Sequence, residues 1–388
     1  MRQLLITVAL TFVCHGLFAQ KGQVSKATTY KESGELDKAL ECIQAAIDPE
    51  NEKSEKSVAW PRTWQVRGEI FQEIHKSTDK KYSALSSDPL TDAFYSYKKA
   101  LELDEKNRYE KSLKVNLILL VEDLQNDAIE AYNDNAYAVA LQRFEQAHEV
   151  NSMPIVTDGE NLIDTAIIYN MGMAAFNAKE YDKAIEYLNE AARYGYNRGT
   201  TYVWISNAYE QKEDTVKALG ILMNGFQEYP NDKDLMNGMI QAFINLKRKE
   251  EAVKYLDMAI AKNPNDVNYY LAKGDLFKDN ADGENAILCY GKALDIEPAN
   301  FIALYNMGVI YFNRGVNQLK VLDTIPVNDN VAYEREMKKS EVWWEKSLPF
   351  MEKCHEIKPS DATVKESLGT LYYRLKMMDE YKAISERN

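Results

Sequence analysis

A chain of 388 residues with 28% charged and 45% apolar side chains has the composition of a soluble helical protein, which excludes both disorder and a membrane-embedded body. Sixty acidic residues against 47 basic ones leave a net charge of −13. Without clustered Lys and Arg to displace phosphate counterions, nucleic acid is disfavoured as a partner.

At the N-terminus Arg2 precedes an apolar run from Leu4 to Val13 and a tail ending Leu17, Phe18, Ala19. This pattern predicts a cleavable secretory signal over residues 1–19, cut before Gln20, and the run is too short to span a bilayer. The rival reading, a lipid anchor on Cys14, has the flanks Thr11 to His15, which resemble a lipobox poorly. The expectation is export to a periplasm or cell envelope, with no membrane span; peripheral association with the envelope is compatible with it. The remaining cysteines, Cys42, Cys289 and Cys354, are odd in number and scattered, so they build no disulfide framework. Buried thiols are expected, with a Cys289–Cys354 bridge left open.

Residues 20–50 read as a short helix pair carrying Ala27, Tyr30, Gly34, Ala39 and Ala46 at helical spacing. A second pair occupies about 61–106, with Trp64, Gly68 and Phe71 in its first helix and Ala93, Tyr97 and Ala100 in its second. The polar stretch between them is too long for a tight turn and too polar to be buried, and Asp88–Pro89 is a helix restart signal. A third pair, about 121–154, follows an apolar entry from Val115 to Val121 that is expected to be core. After a loop at 155–164, four copies of a 34-residue unit run without interruption from Thr165, Gly199, Lys233 and Val267 to residue 300. Unit position eight holds Gly172, Ser206, Ile240 and Gly274; position twenty holds Ala184, Ala218, Ala252 and Ala286; position twenty-four holds Leu188, Leu222, Leu256 and Tyr290. Small residues at eight and twenty let two helices approach, and Pro230, Pro264 and Pro298 end the second helix of three copies. Residues 301–361 start in phase and then carry a helical insertion at about 317–346. Residues 362–388 form a half repeat and a polar cap.

A period of this length marks a repeat architecture. The runs NMGMAAFNAKEYDKAIEYLNEA from Asn170, NYYLAKGDLF from Asn268 and AILCYGKALDIEP from Ala286 resemble the tetratricopeptide repeat. The resemblance implies an all-α fold, a right-handed superhelical solenoid of about eight helix pairs with a C-terminal capping helix. It also implies a concave groove that binds proteins or peptides. With the signal, the chain is similar to cell-envelope repeat proteins of Gram-negative, Bacteroidetes-like bacteria.

The groove-lining positions that the family implies fall on Asn126, Tyr132, Tyr169, Asn170, Met173, Phe176, Asn177, Trp204, Asn207, Asn237, Gln241, Asn245, Tyr305, Asn306, Phe312 and Asn313. Asparagine can donate to and accept from a bound backbone, and aromatic rings supply anchors. Tyr333, Trp343 and Trp344 form a second candidate contact, on the insertion. The clamp for a free C-terminal carboxylate is doubtful, because Lys278 and Arg374 stand apart among Asp275, Asp279 and Glu366.

Catalytic and metal constellations are not found. His75, His148 and His355 fall in different repeats without ligand partners, and no phosphate loop or nucleophile elbow occurs. The expected function is a non-catalytic scaffold binding a polypeptide, with no cofactor and no metal. The alternatives are a structural subunit held by its outer surface and insertion, or a regulatory arm for an enzyme.

Overall fold

The computed structural model describes residues 21–385 except 52, 53 and 161. The expected signal at 1–19 and Cys14 lie outside the described residues. Every regular element described is a helix, and the helices pair antiparallel fashion in sequence order.

One compact unit runs through Tyr229. It contains α1 (21–32), α2 (Leu36–Ile47), α3 (Glu55–Val58), α4 (Pro61–Lys76), α5 (Lys80–Ser83), α6 (Pro89–Leu103) and α7 (Glu110–Asn133). It continues with α8 (Tyr137–Asn151), α9 (Pro154–Thr157), α10 (Thr165–Asn177), α11 (Tyr181–Arg193), α12 (Arg198–Gln211) and α13 (Thr215–Glu228). The other, from Pro230, holds α14 (Lys233–Asn245), α15 (Lys249–Lys262), α16 (Val267–Asp279), α17 (Gly283–Ile296), α18 (Phe301–Leu319), α19 (Asn330–Ile357), α20 (Ala362–Arg374) and α21 (Met378–Ser385).

One turn recurs inside the pairs. Gly34, Asn135, Lys179, Glu213, Lys247, Ala281 and Lys376 all take positive φ between the first and second helix. Around each, a backbone N–H reaches back five residues, as Glu180 N to Ala175 O at 2.8 Å and Asp282 N to Phe277 O at 2.9 Å. These bonds satisfy the last carbonyls of the first helix and turn the chain back on itself. Aspartates then start the next element: Asp88, Asp164, Asp214, Asp232, Asp266, Asp282, Asp329 and Asp361 each accept from backbone N–H groups of the helix they precede.

Within a pair, the small residue of the first helix sits under a large one of the second. A Cβ on Gly172 would meet Leu188 at 2.6 Å, and one on Gly274 would meet the Tyr290 ring at 2.7 Å. Gly68 stands in the same relation to Tyr97, and Gly308 to Met351. The helices therefore pack as closely as their backbones allow, and the alanines at unit position twenty are buried with them.

Two expectations need correction. The stretch between α4 and α6 is not simply solvated, because Tyr82 is buried and its hydroxyl donates to the Gly34 carbonyl at 2.6 Å. The helical insertion at about 317–346 takes the form of one elongated hairpin: α18 and α19 are joined by a turn that includes Leu322–Thr324, and α19 continues through Pro349. Trp344 is not a partner contact. It is 0% exposed, covers Gly315 and donates from its indole N–H to the Phe312 carbonyl at 3.3 Å. Trp343 is half-buried and stacks on Tyr311, with Arg314 and Lys346 on its ring, while Tyr333 is exposed.

Candidate functional site

The first helices carry the face on which function can be sought, and α7 is the longest of them in the first unit. At 100° per residue, Leu113, Leu117, Leu120, Leu124 and Ala128 fall on one side and are buried. Val115, Ile118, Leu119, Glu122, Asn126 and Ile129 fall on the opposite side. The apolar members there are 57%, 49%, 45% and 51% exposed respectively. The entry from Val115 to Val121 is thus core on one side only. The wrong reading came from treating an apolar run as uniformly buried, and the helical angle is the signal that separates the two sides.

At the C-terminal end of this stripe the chain forms a recess of about 270 Å³, lined by Ile129, Tyr132, Asn133, Tyr169, Asn170 and Met173 with the buried Phe144. Four of the groove candidates, Tyr132, Tyr169, Asn170 and Met173, are brought together here. Asn177 donates to the Tyr132 hydroxyl at 2.8 Å and to the Met173 carbonyl at 2.9 Å, tying α10 to α7. Burial raises the Tyr132 phenol pKa, with Tyr137 adding to this and the bond from Asn177 opposing it. The phenol therefore stays neutral, an amphipathic wall of the recess. Further along, Phe176 meets Trp204 edge-on at 5.1 Å, and Tyr169 leans on Tyr196 at 5.2 Å. Asn126 is exposed and Asn207 half-buried.

The tyrosines over the glycines of the pairs deliver something the sequence did not announce. The Tyr97 hydroxyl donates to Gln72 Oε1 and accepts from Asn116 Nδ2 at 3.1 Å; Asn116 accepts in turn from Gln65 at 3.1 Å, and Gln72 donates to Asp123 at 2.7 Å. In the second unit Tyr290 donates to Asp275 Oδ1 at 2.6 Å, which also accepts from Asn306 at 3.1 Å and from Lys278 at 3.0 Å. A phenol threaded over a glycine thus joins the first helix of its own pair to that of the next. Burial, then the bond to Asp275, pushes the Tyr290 phenol up and keeps it a donor. Asn306 is a structural strut here, and Asn177 is another. Asn237, Gln241, Asn245 and Asn313 are exposed, Gln241 donating to Asn245 at 2.8 Å, and Tyr305 stacks on Phe301.

In the second unit Phe312 lines a recess of about 160 Å³ with Val309, Met351, Glu366, Thr370 and Leu371. A hollow of about 740 Å³, which shares Glu366 and Thr370 with it, lies over α20 and α21 and is lined by Gly369, Tyr373, Arg374 and Ser385. Lys278 is bound to Asp275, and Arg374 lies over the Trp344 ring at 5.1 Å. Cys42, Cys289 and Cys354 are free thiols. Burial raises the pKa of each, that of Cys354 to about 11. Among the described residues no group of three or more His, Cys, Asp or Glu could hold a metal, and no helix is long and apolar enough to cross a membrane.

Family models for tetratricopeptide repeats match residues 165–194, 210–276 and 282–315. BBSome complex member BBS4 of Bos taurus is 23% identical over 130 residues, 34% of this chain and 25% of its own length. A TPR repeat-containing protein of Methanocaldococcus jannaschii is 22% identical over 185 residues, 47% of this chain and 26% of its own. The chain thus spans about a quarter of the length of these curated relatives. Among solved structures, a TPR repeats protein from Bacteroides fragilis has 21% identity, coverage of 65% of this chain and 98% of its own, and a TM-score of 0.31. YrrB, described as a TPR protein with an unusual peptide-binding site, has 19% identity, coverage of 54% and 95%, and a TM-score of 0.36. The P58(IPK) TPR domain has 18% identity, coverage of 92% and 99%, and a TM-score of 0.31.

Proposed function

We propose, from the premise that the chain is a tetratricopeptide-repeat protein, that it is a non-catalytic scaffold whose first-helix face in the unit through Tyr229 captures a polypeptide segment. The observation that carries this is the recess between α7 and α10. Its wall combines the apolar surface of Ile129 and Met173, the rings of Tyr132 and Tyr169, and the Asn170 amide. That mixture suits side-chain anchors flanked by polar groups. The non-catalytic reading is supported by the Cys289 and Cys354 thiols, which burial keeps protonated, and by the Tyr97 and Tyr290 hydroxyls, which are spent on struts.

Export to a periplasm or cell envelope is part of the proposal, supported by Arg2, the apolar run from Leu4 to Val13 and the tail that ends at Ala19. The partner is then a polypeptide of an envelope or secretion assembly. Crosslinked capture from the envelope fraction tests the reading, comparing wild type with a Tyr169→Ala, Met173→Asp double variant of unchanged helical content. Loss of a crosslinked partner is expected, and unchanged capture removes the proposal. A mature N-terminus at Gln20 is expected from sequencing the purified protein.

The alternative, a subunit held by the α18–α19 hairpin, retains one observation. Val327, Val331 and Tyr333 at the hairpin end are exposed. Trp344 is withdrawn from that surface.

A further inference from the structure

The exposed stripe of α7 says more about the partner than that it is a polypeptide. Val115, Ile118, Leu119, Glu122, Asn126 and Ile129 recur at intervals of three and four, on a side turned away from the buried one. The stripe is about 21 Å long at 1.5 Å per residue and leads into the Tyr132, Tyr169 and Met173 recess. Such a row is the complement of another helix, whose ridges repeat with the same stride.

Two observations favour a helical over an extended occupant. An extended chain must have its backbone groups satisfied, yet α7 is a closed helix with no strand edge, and two of the amides beside it are spent inside the chain, while Asn126 on the stripe and Asn170 in the recess are too far apart in register to pair a continuous backbone. Asn116 is bonded to Tyr97 and Gln65, and Asn177 to Tyr132. A helix brings its backbone already paired and needs only side-chain contacts.

Charge then fixes its flanks. Glu122 and Glu130 are exposed on the stripe and at its margin. Three of the nearby basic residues are already paired, Lys114 with Asp158, Lys76 with Asp123 and Arg143 with Asp88 and Asp127, while Lys111, one turn before Val115, is exposed and places the acidic part of the stripe toward its C-terminal half. A second copy of this chain is the wrong occupant. A two-fold pairing of antiparallel α7 helices would bring Glu122, near the middle of the stripe, against its own symmetry mate. We infer that the α7 stripe and the recess it leads into receive an amphipathic helix of a partner polypeptide, apolar at i, i+3, i+4 and i+7 and flanked by Lys or Arg. This rests on the proposed function and adds the conformation and charge of what is bound.

The test uses the full chain and three fluorescein-labelled 16-residue peptides, read by anisotropy. The first carries Leu at the four helical positions with Lys flanks, the second replaces Lys by Glu, and the third is a proline-interrupted permutation of the first. The Lys peptide is expected to bind best, to weaken about tenfold in Ile118→Asp, and to lose part of its advantage in Glu122→Lys, where the Glu peptide gains. Both residues are exposed, so both variants retain the wild-type circular dichroism. Equal binding of the Lys and Glu peptides, or wild-type affinity in Ile118→Asp, overturns the inference. If the proline-interrupted peptide binds best and is lost with Met173→Asp but not with Ile118→Asp, the helix is refuted while the recess stands. If no peptide depends on either residue, both readings fail. Self-association abolished by Ile118→Asp in sedimentation would replace the partner with a second copy.

Discussion

The glycines at unit position eight are occupied space. A Cβ on Gly274 would lie 2.7 Å from the Tyr290 ring, whereas one on Gly220, in the middle of α13, would meet nothing within 4 Å. Overpacking costs about 1–3 kcal/mol and alanine returns about 1 kcal/mol of helix propensity. Gly274→Ala should therefore lower stability in urea titration and Gly220→Ala should raise it; a matched response to the two would mean the close approach is not a constraint. Asp88 is a second single-residue test. It caps α6 and is bonded by the buried Arg143 at 2.6 Å. Burial alone would raise its pKa, but the bonds from Arg143 and Thr91 outweigh burial and leave it lowered. A carboxylate depressed in the folded state stabilises above its unfolded pKa of about 3.9, and that contribution is lost as the pH falls through the folded value. Asp88→Asn keeps the cap and removes the titration. Its loss of stability on going from pH 7 to pH 3 should be smaller than that of wild type.

At the scale of the element, the recurring turn and the long hairpin carry the lessons. Ala281 holds φ 57° with neither a glycine's freedom nor an asparagine's side chain. The left-handed conformation costs about 1–2 kcal/mol for such a residue, so Ala281→Gly should raise the stability read by urea titration by about 1 kcal/mol. In the hairpin, Trp344→Ala should cost about 3–5 kcal/mol and Tyr333→Ala almost nothing. Equal effects would contradict the assignment of one to the core and the other to the surface. The sequence resolved the elements well wherever the 34-residue stride was kept, because alanine, glycine and proline at fixed offsets each have one mechanical use. Outside that stride, α19 runs on through Pro349 as one helix. A proline on the exposed side of a helix that is held by Trp344 and Met351 on its other side does not end it. Of the candidate site, the positions that share one recess were legible and the partners of the amides were not. Tyr132, Tyr169, Asn170 and Met173 converge as their unit positions required, but Asn177 and Asn306 turned out to be struts, since no unit position says which neighbour an amide will find.

For the whole molecule, a repeat array is stabilised mainly by contacts between neighbours, which leaves a face of each first helix free of structural duty. In the unit through Tyr229 that freedom is used to expose apolar side chains among carboxylates, an arrangement with no structural benefit for a chain of net charge −13. Amide hydrogen exchange of the full chain, with and without the Lys-flanked helical peptide at saturation, tests the central claim most directly. Slowed exchange confined to α7 and α10, with α13 unchanged, is the result expected. Protection of the second helices instead, or of neither, would contradict the assignment of binding to the first-helix face.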